Sequence, residues 1–208
     1  MILIITPFND IATGISINAG RELERFCNEN NIPSKLLFGL QAYRAIFEST
    51  MMFDNNIDLI CYFGHGVEEG LFGQHFFSKM CDMRNNTLFK DKIIYTMACW
   101  TGNALGPNSI IKGAESYFGH SNWYYGAITN NEHSYFDDWI DYVTIIPKEL
   151  IRGKTTGQAL YSYKNLIGEY LNNYENNKYL DWDWYFLTAK SNKDYYNLYG
   201  NRDVRLLL

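Results

Sequence analysis

The sequence is short of the features that mark several large functional classes. Only four cysteines occur in 208 residues, at Cys27, Cys61, Cys81 and Cys99. They show no CxxC pair and no dense framework, so reduced thiols in a cytoplasmic setting are expected. Positive charge is scarce as well: 18 Lys and Arg stand against 23 Asp and Glu, a formal net charge of −5. That balance argues against nucleic-acid or anionic-membrane partners, since both need a positive field. No apolar run approaches the ~18–20 residues of a membrane span. The first residues lack a basic segment, and their apolar stretch is too short for a signal peptide. The glycines form no Walker or dinucleotide fingerprint. No repeat, linker or low-complexity segment divides the chain.

What is present is aromatic and regularly patterned. With 17 Tyr and 13 Phe the aromatic share is high, and 208 residues suit one domain over residues 1–208 with a sizeable core. Short apolar runs at 2–6, 34–38, 57–63 and 92–98 read as buried strands. Helical spacing falls at 15–30, 40–52, 134–151 and 154–174, with a short helix near 107–112. Residues 114–119 and 123–128 read as strand material broken by a turn, and 67–90 as irregular. The aromatic tail from Trp182, with Trp184, Tyr185 and Phe186, is expected to pack back on the domain. This alternation predicts an α/β fold: a mostly parallel sheet in flavodoxin-like order with helices on both faces.

Two of these strands end in reactive side chains. One is Ile57-Asp58-Leu59-Ile60-Cys61-Tyr62-Phe63-Gly64-His65-Gly66; the other is Lys92-Ile93-Ile94-Tyr95-Thr96-Met97-Ala98-Cys99-Trp100-Thr101-Gly102. In open α/β sheets ligands bind at the carboxyl ends of the strands. Neighbouring tips would therefore offer a thiol nucleophile with an imidazole base. The backbone N–H groups of Gly66 and Cys99 are candidate oxyanion donors. Taken singly, a cysteine ending a buried strand is usually inert core, and a single histidine usually structural. The two together, in this order, turn the balance towards catalysis.

The blocks Cys61–Gly66 and Thr96–Gly102 resemble the histidine and cysteine motifs of caspase-like cysteine peptidases, a clan that includes caspases, gingipains, legumain, separase and CHAT domains. The gingipain and CHAT side is the nearer one. Lys112–Gly119, Gly153–Leu160 and Tyr196–Arg202 are similar to later segments of those relatives. The resemblance implies His65 as general base and acid, Cys99 as nucleophile, a thioester intermediate and no metal or organic cofactor. It also implies a protein or peptide substrate and leaves room for calcium regulation or a regulatory protein partner. Met97-Ala98-Cys99-Trp100-Thr101 departs from the Gln-Ala-Cys-x-Gly of caspases, so aspartate-directed cleavage is not implied.

An acidic pocket for Arg or Lys before the scissile bond could draw on Asp10, Asp137 and Asp138, with Trp123 or Tyr124 as its wall. Solvated turn or helix-start acids explain the same aspartates. Glu68 and Glu69 are candidates to orient His65, although loop solvation accounts for them too. A zinc site built from His65, His75, Cys81, Cys99, His120 and His133 fits no ligand spacing. A phosphatase loop fails because Leu105 stands where a phosphate-binding arginine is required. Two other classes stay open at this point: a non-catalytic caspase-like module that binds a partner, and a non-peptidase thiol hydrolase.

Overall fold

The computed structural model describes residues 1–75, 78–125, 133–176 and 182–207, with backbone alone at 133–135, 176 and 182–185. Five strands run parallel: β1 (Ile2–Thr6), β2 (Ser34–Phe38), β3 (Leu59–Phe63), β7 (Ile93–Met97) and β8 (Ser116–His120). β9 (Tyr196–Gly200) adds an antiparallel edge, giving the order β2-β1-β3-β7-β8-β9. The expected α/β class with a mostly parallel sheet is thus the observed one.

Period-two alternation decides which side chain faces which layer. Ile2, Ile4, Leu59, Cys61, Phe63, Ile93, Tyr95, Met97 and Phe118 share one core with α1 (Ile11–Glu29), α4 (His133–Ile151), α5 (Thr156–Asn176) and α6 (Trp182–Asp194). Leu3, Ile5, Ile60, Tyr62, Ile94 and Tyr117 turn to the other face, against α2 (Arg44–Phe53) and α3 (Leu105–Ile111). Burial on both sides explains why these strands are unbroken apolar runs rather than alternating ones. The tyrosines in the larger core bring their hydroxyls to backbone acceptors: Tyr95 donates to Val143 O (2.5 Å), Tyr196 to Thr96 O (2.9 Å) and Tyr163 to Asn192 O (3.1 Å).

Several elements differ from the sequence expectation. Helix α1 starts at Ile11, not residue 15, because Asp10 caps it and forms a reciprocal box with Thr13. The segment read as irregular contains a second sheet: β4 (Gly66–Val67), β5 (Gly70–Phe72) and β6 (Lys79–Asp82), all antiparallel. Its strands are two to four residues long, too short to show a period. The tail holds both a helix and the edge strand β9. Residues 123–125 are not strand; 126–128, and the side chains of His133, Trp182, Trp184 and Tyr185, lie outside the described residues. No described helix is long and apolar enough to cross a membrane.

Candidate active site

The chain order reverses between β1 and β3, the place where such sheets form a crevice at their carboxyl ends. Three adjacent strands deliver three candidate side chains there. Asp10 follows β1, His65 follows β3 and Cys99 follows β7, so the strand order β1-β3-β7 places the histidine between the acid and the thiol. His65 and Cys99 line one cavity of about 50 Å³, with Ala12, Thr13 and Ser16 of α1 and Tyr124 opposite.

The histidine is held from two directions. Its Nε2 lies 2.8 Å from Asp10 Oδ2. An Nε2–H donated to that carboxylate leaves Nδ1 as the nitrogen for proton transfer. Its backbone carbonyl accepts from the Tyr62 hydroxyl at 2.7 Å, and that hydroxyl also lies 2.8 Å from Phe72 O. Asp10 is itself fixed. Its Oδ1 accepts from Thr13 N (2.9 Å), and Thr13 Oγ1 receives the N–H groups of Asn9 (2.8 Å) and Asp10 (2.9 Å). Burial raises the Asp10 carboxyl, but the Thr13 and His65 hydrogen bonds outweigh it and hold the group below its usual range.

The β5–β6 hairpin keeps the acid-bearing loop in place. Gln74 accepts from Phe8 N at 2.9 Å and donates back to Phe8 O, while Asn9 Nδ2 donates to Gly73 O at 3.0 Å. Neither Tyr62 nor Gln74 stood out in the sequence. An apolar strand containing a tyrosine looks the same whether or not its hydroxyl meets the loop that bears His65.

Cys99 sits where β7 breaks into its loop. Its Sγ receives Tyr124 N–H at 3.2 Å and lies 3.7 Å from Tyr124 O. Burial pushes the thiol up, opposed by the N–H groups of Tyr124 and of Cys99 itself. Burial thus works against the thiolate form of Cys99. Trp100, next in the chain, has φ +62°, a left-handed conformation unusual for a bulky residue. Its N–H is tied to Asn122 O at 3.0 Å and its ring packs edge-on to Trp123 at 5.7 Å. Strain of this kind persists only where neighbours over-determine the backbone.

Gly66 crosses close beneath this loop. A Cβ there would meet Thr101 Cγ2 at 2.6 Å, Ala98 Cβ at 2.9 Å and Cys99 O at 3.0 Å. Phe72 N donates to His65 O (3.1 Å), which makes Gly66–Leu71 a non-hydrogen-bonded pair and directs Gly66 N–H away from β5.

The remaining candidates are not gathered here. Asp10 does not form an acidic pocket with Asp137 and Asp138, because its carboxylate lies on His65. Asp137 lines a separate cleft with Arg21 and Arg25, and Asp138 accepts from the Tyr174 hydroxyl at 2.8 Å. Trp123 is exposed and does not line the cavity, whereas Tyr124 does. Glu68 accepts from Asn103 (3.2 Å) and Glu69 lies near Lys79 (3.5 Å), so Asp10 is the acid that contacts His65. His75 pairs with Tyr43 at 2.8 Å, and His120 is buried among Tyr124, Tyr195 and Tyr196. Among the described residues no group of three or more His, Cys, Asp or Glu side chains could hold a metal.

A mostly parallel sheet thus carries a histidine and a cysteine just beyond the carboxyl ends of two adjacent strands, β3 and β7. The same fold is found in the crystal structure of the Arg specific cysteine proteinase gingipain R, with a TM-score of 0.61 and 12% sequence identity over 99% of this chain. That match takes in 47% of the gingipain chain, so the present chain spans about half the length of that protein. No protein-family model and no curated protein matches the sequence.

Proposed function

We propose that this chain is a cysteine endopeptidase. The observation that carries the reading is the Asp10–His65–Cys99 series after three successive strands, with His65 and Cys99 lining one cavity and Asp10 on the far side of the imidazole. The likeness to a cysteine proteinase fold supports it. Loop 98–102, with its strained Trp100, holds the thiol at the cavity edge.

In the proposed mechanism His65 removes the Cys99 proton as sulfur attacks the peptide carbonyl. Coupling deprotonation to attack suits a thiol whose ionisation burial disfavours. Gly66 N–H and Cys99 N–H then donate to the developing oxyanion, a contribution on the order of 3 kcal/mol per donor. His65 gives its proton to the leaving amine, forming a thioester, and next activates the water that hydrolyses it. Asp10 holds the imidazole in the required tautomer and steadies the imidazolium. None of these steps calls on a cofactor.

The test uses a mixed peptide library and an acyloxymethyl-ketone peptide probe, applied to the wild type and to Cys99→Ala. Wild type should cleave peptides and be labelled at Cys99, and the variant should do neither. Equal cleavage by both proteins would overturn the reading.

A further inference from the structure

Attack by Cys99 Sγ places the carbonyl carbon of the substrate on the sulfur. The side chain of the residue that contributes this carbonyl then falls within a few ångströms of the thiol. In the described structure the space available there is the cavity walled by Cys99, His65, Met97 and the first turns of α1. Its character follows from those turns. Ala12 contributes a methyl group at the exposed edge, and Thr13 and Ser16 form the buried wall.

The hydroxyls on this wall are already engaged. Thr13 Oγ1 is taken up by the Asp10 cap, and Ser16 Oγ donates to Ala12 O at 3.1 Å. No carboxylate lines the cavity among the described residues, and the nearby Asp10 carboxylate is directed to His65. An Arg or Lys side chain entering here would face an imidazole and a thiol with no counter-charge, and burying an unpaired cation is costly. The size points the same way. About 50 Å³ holds roughly three to five waters at about 10–15 Å³ each. That is room for a short side chain, not a long one.

We infer that the site selects a small, uncharged residue (Gly, Ala, Ser or Thr) immediately before the scissile bond, with Ala12 as the residue that sets the size limit. This rests on the peptidase reading above and goes beyond it by naming the substrate class. It also distinguishes this chain from the Arg specific gingipain R, whose fold it shares.

The experiment is a panel of fluorogenic peptides that differ only in the residue before the scissile bond: Gly, Ala, Ser, Thr, Leu, Phe, Asp, Lys and Arg. Wild type should show kcat/KM at least tenfold higher for the four small residues than for Lys, Arg, Asp or Phe. Ala12→Leu should lower kcat/KM for Ser and Thr peptides about tenfold, and for Gly peptides less. Ala12 is exposed on the first turn, so the variant keeps the helix, and its thermal midpoint should match wild type. Cys99-dependent cleavage that prefers Lys, Arg, Asp or Phe would overturn the pocket assignment and leave the peptidase reading intact. No cleavage of any peptide, with no labelling of Cys99 by an alanyl chloromethyl ketone, would overturn both.

Discussion

Cys99 carries a thiol that burial pushes above its usual range, with two N–H groups working against that rise. Its reactivity should therefore track deprotonation across the neutral-to-alkaline range. Iodoacetamide labelling is expected to accelerate steadily from pH 6 to 9; a rate already at its plateau at pH 6 would show a preformed thiolate instead. Asp10 serves two ends, as helix cap and as acceptor for His65. Asp10→Asn separates them, because Asn caps a helix about as well as Asp but carries no charge. We expect kcat to fall roughly 10²–10⁴-fold while the thermal midpoint moves by only a few degrees, measured by steady-state kinetics and calorimetry. A large drop in midpoint with unchanged kcat would assign Asp10 a purely structural role.

At the scale of elements, the site depends on short segments packed against one another rather than on any long helix. β4 passes so near the cysteine loop that only glycine fits at position 66. Gly66→Ala forces Thr101, Ala98 or the Cys99 carbonyl to move. It should destabilise the fold by about 1–3 kcal/mol in urea unfolding and slow labelling of Cys99. Tyr62→Phe acts from the neighbouring strand. It removes the hydroxyl that meets both His65 O and Phe72 O, at an expected cost of about 1–3 kcal/mol. Because the imidazole itself keeps Asp10, activity should survive in reduced form, with kcat affected more than KM.

Over the whole molecule, charge ties the layers together at a few buried or half-buried points. Asp82, on β6, takes hydrogen bonds from Arg84 and also meets Arg44 of α2. The Arg84 hydrogen bond leads, burial opposes it, and the sum with Arg44 holds the Asp82 carboxyl far below the usual range. Asp10, Glu22 and Glu149 are also lowered, whereas burial raises Asp138. A carboxyl lowered in the folded state stabilises fully above its unfolded value, near 4, and loses that contribution as pH falls through its folded value. The thermal midpoint should therefore fall as the pH is taken from 5 towards 2. Asp82→Asn should lower the midpoint at pH 7, and the gap from wild type should narrow towards pH 2. A gap that does not change with pH would show that packing, not ionisation, makes Asp82 matter.

The local sequence by itself determined the parallel strands of the main sheet, the helices on its two faces and the two reactive tips, but not the short strands β4–β6 or the edge strand β9. Runs such as Ile2–Thr6 and Ile93–Met97 are buried on both faces, so their apolar character is strong enough to read without a partner. Gly64, Gly66 and Ala98 mark where those strands open into loops. Only the tertiary structure decided what Asp10 does. An aspartate before a helix is a cap in any context, and its second contact, with His65, lies 55 residues away. The same holds for Tyr62, for Gln74 and for the uncharged wall of Ala12, Thr13 and Ser16. Their roles come from the order in which β1, β3 and β7 lie side by side. That order is set by how the layers bury their apolar faces, a long-range packing outcome that no local pattern encodes.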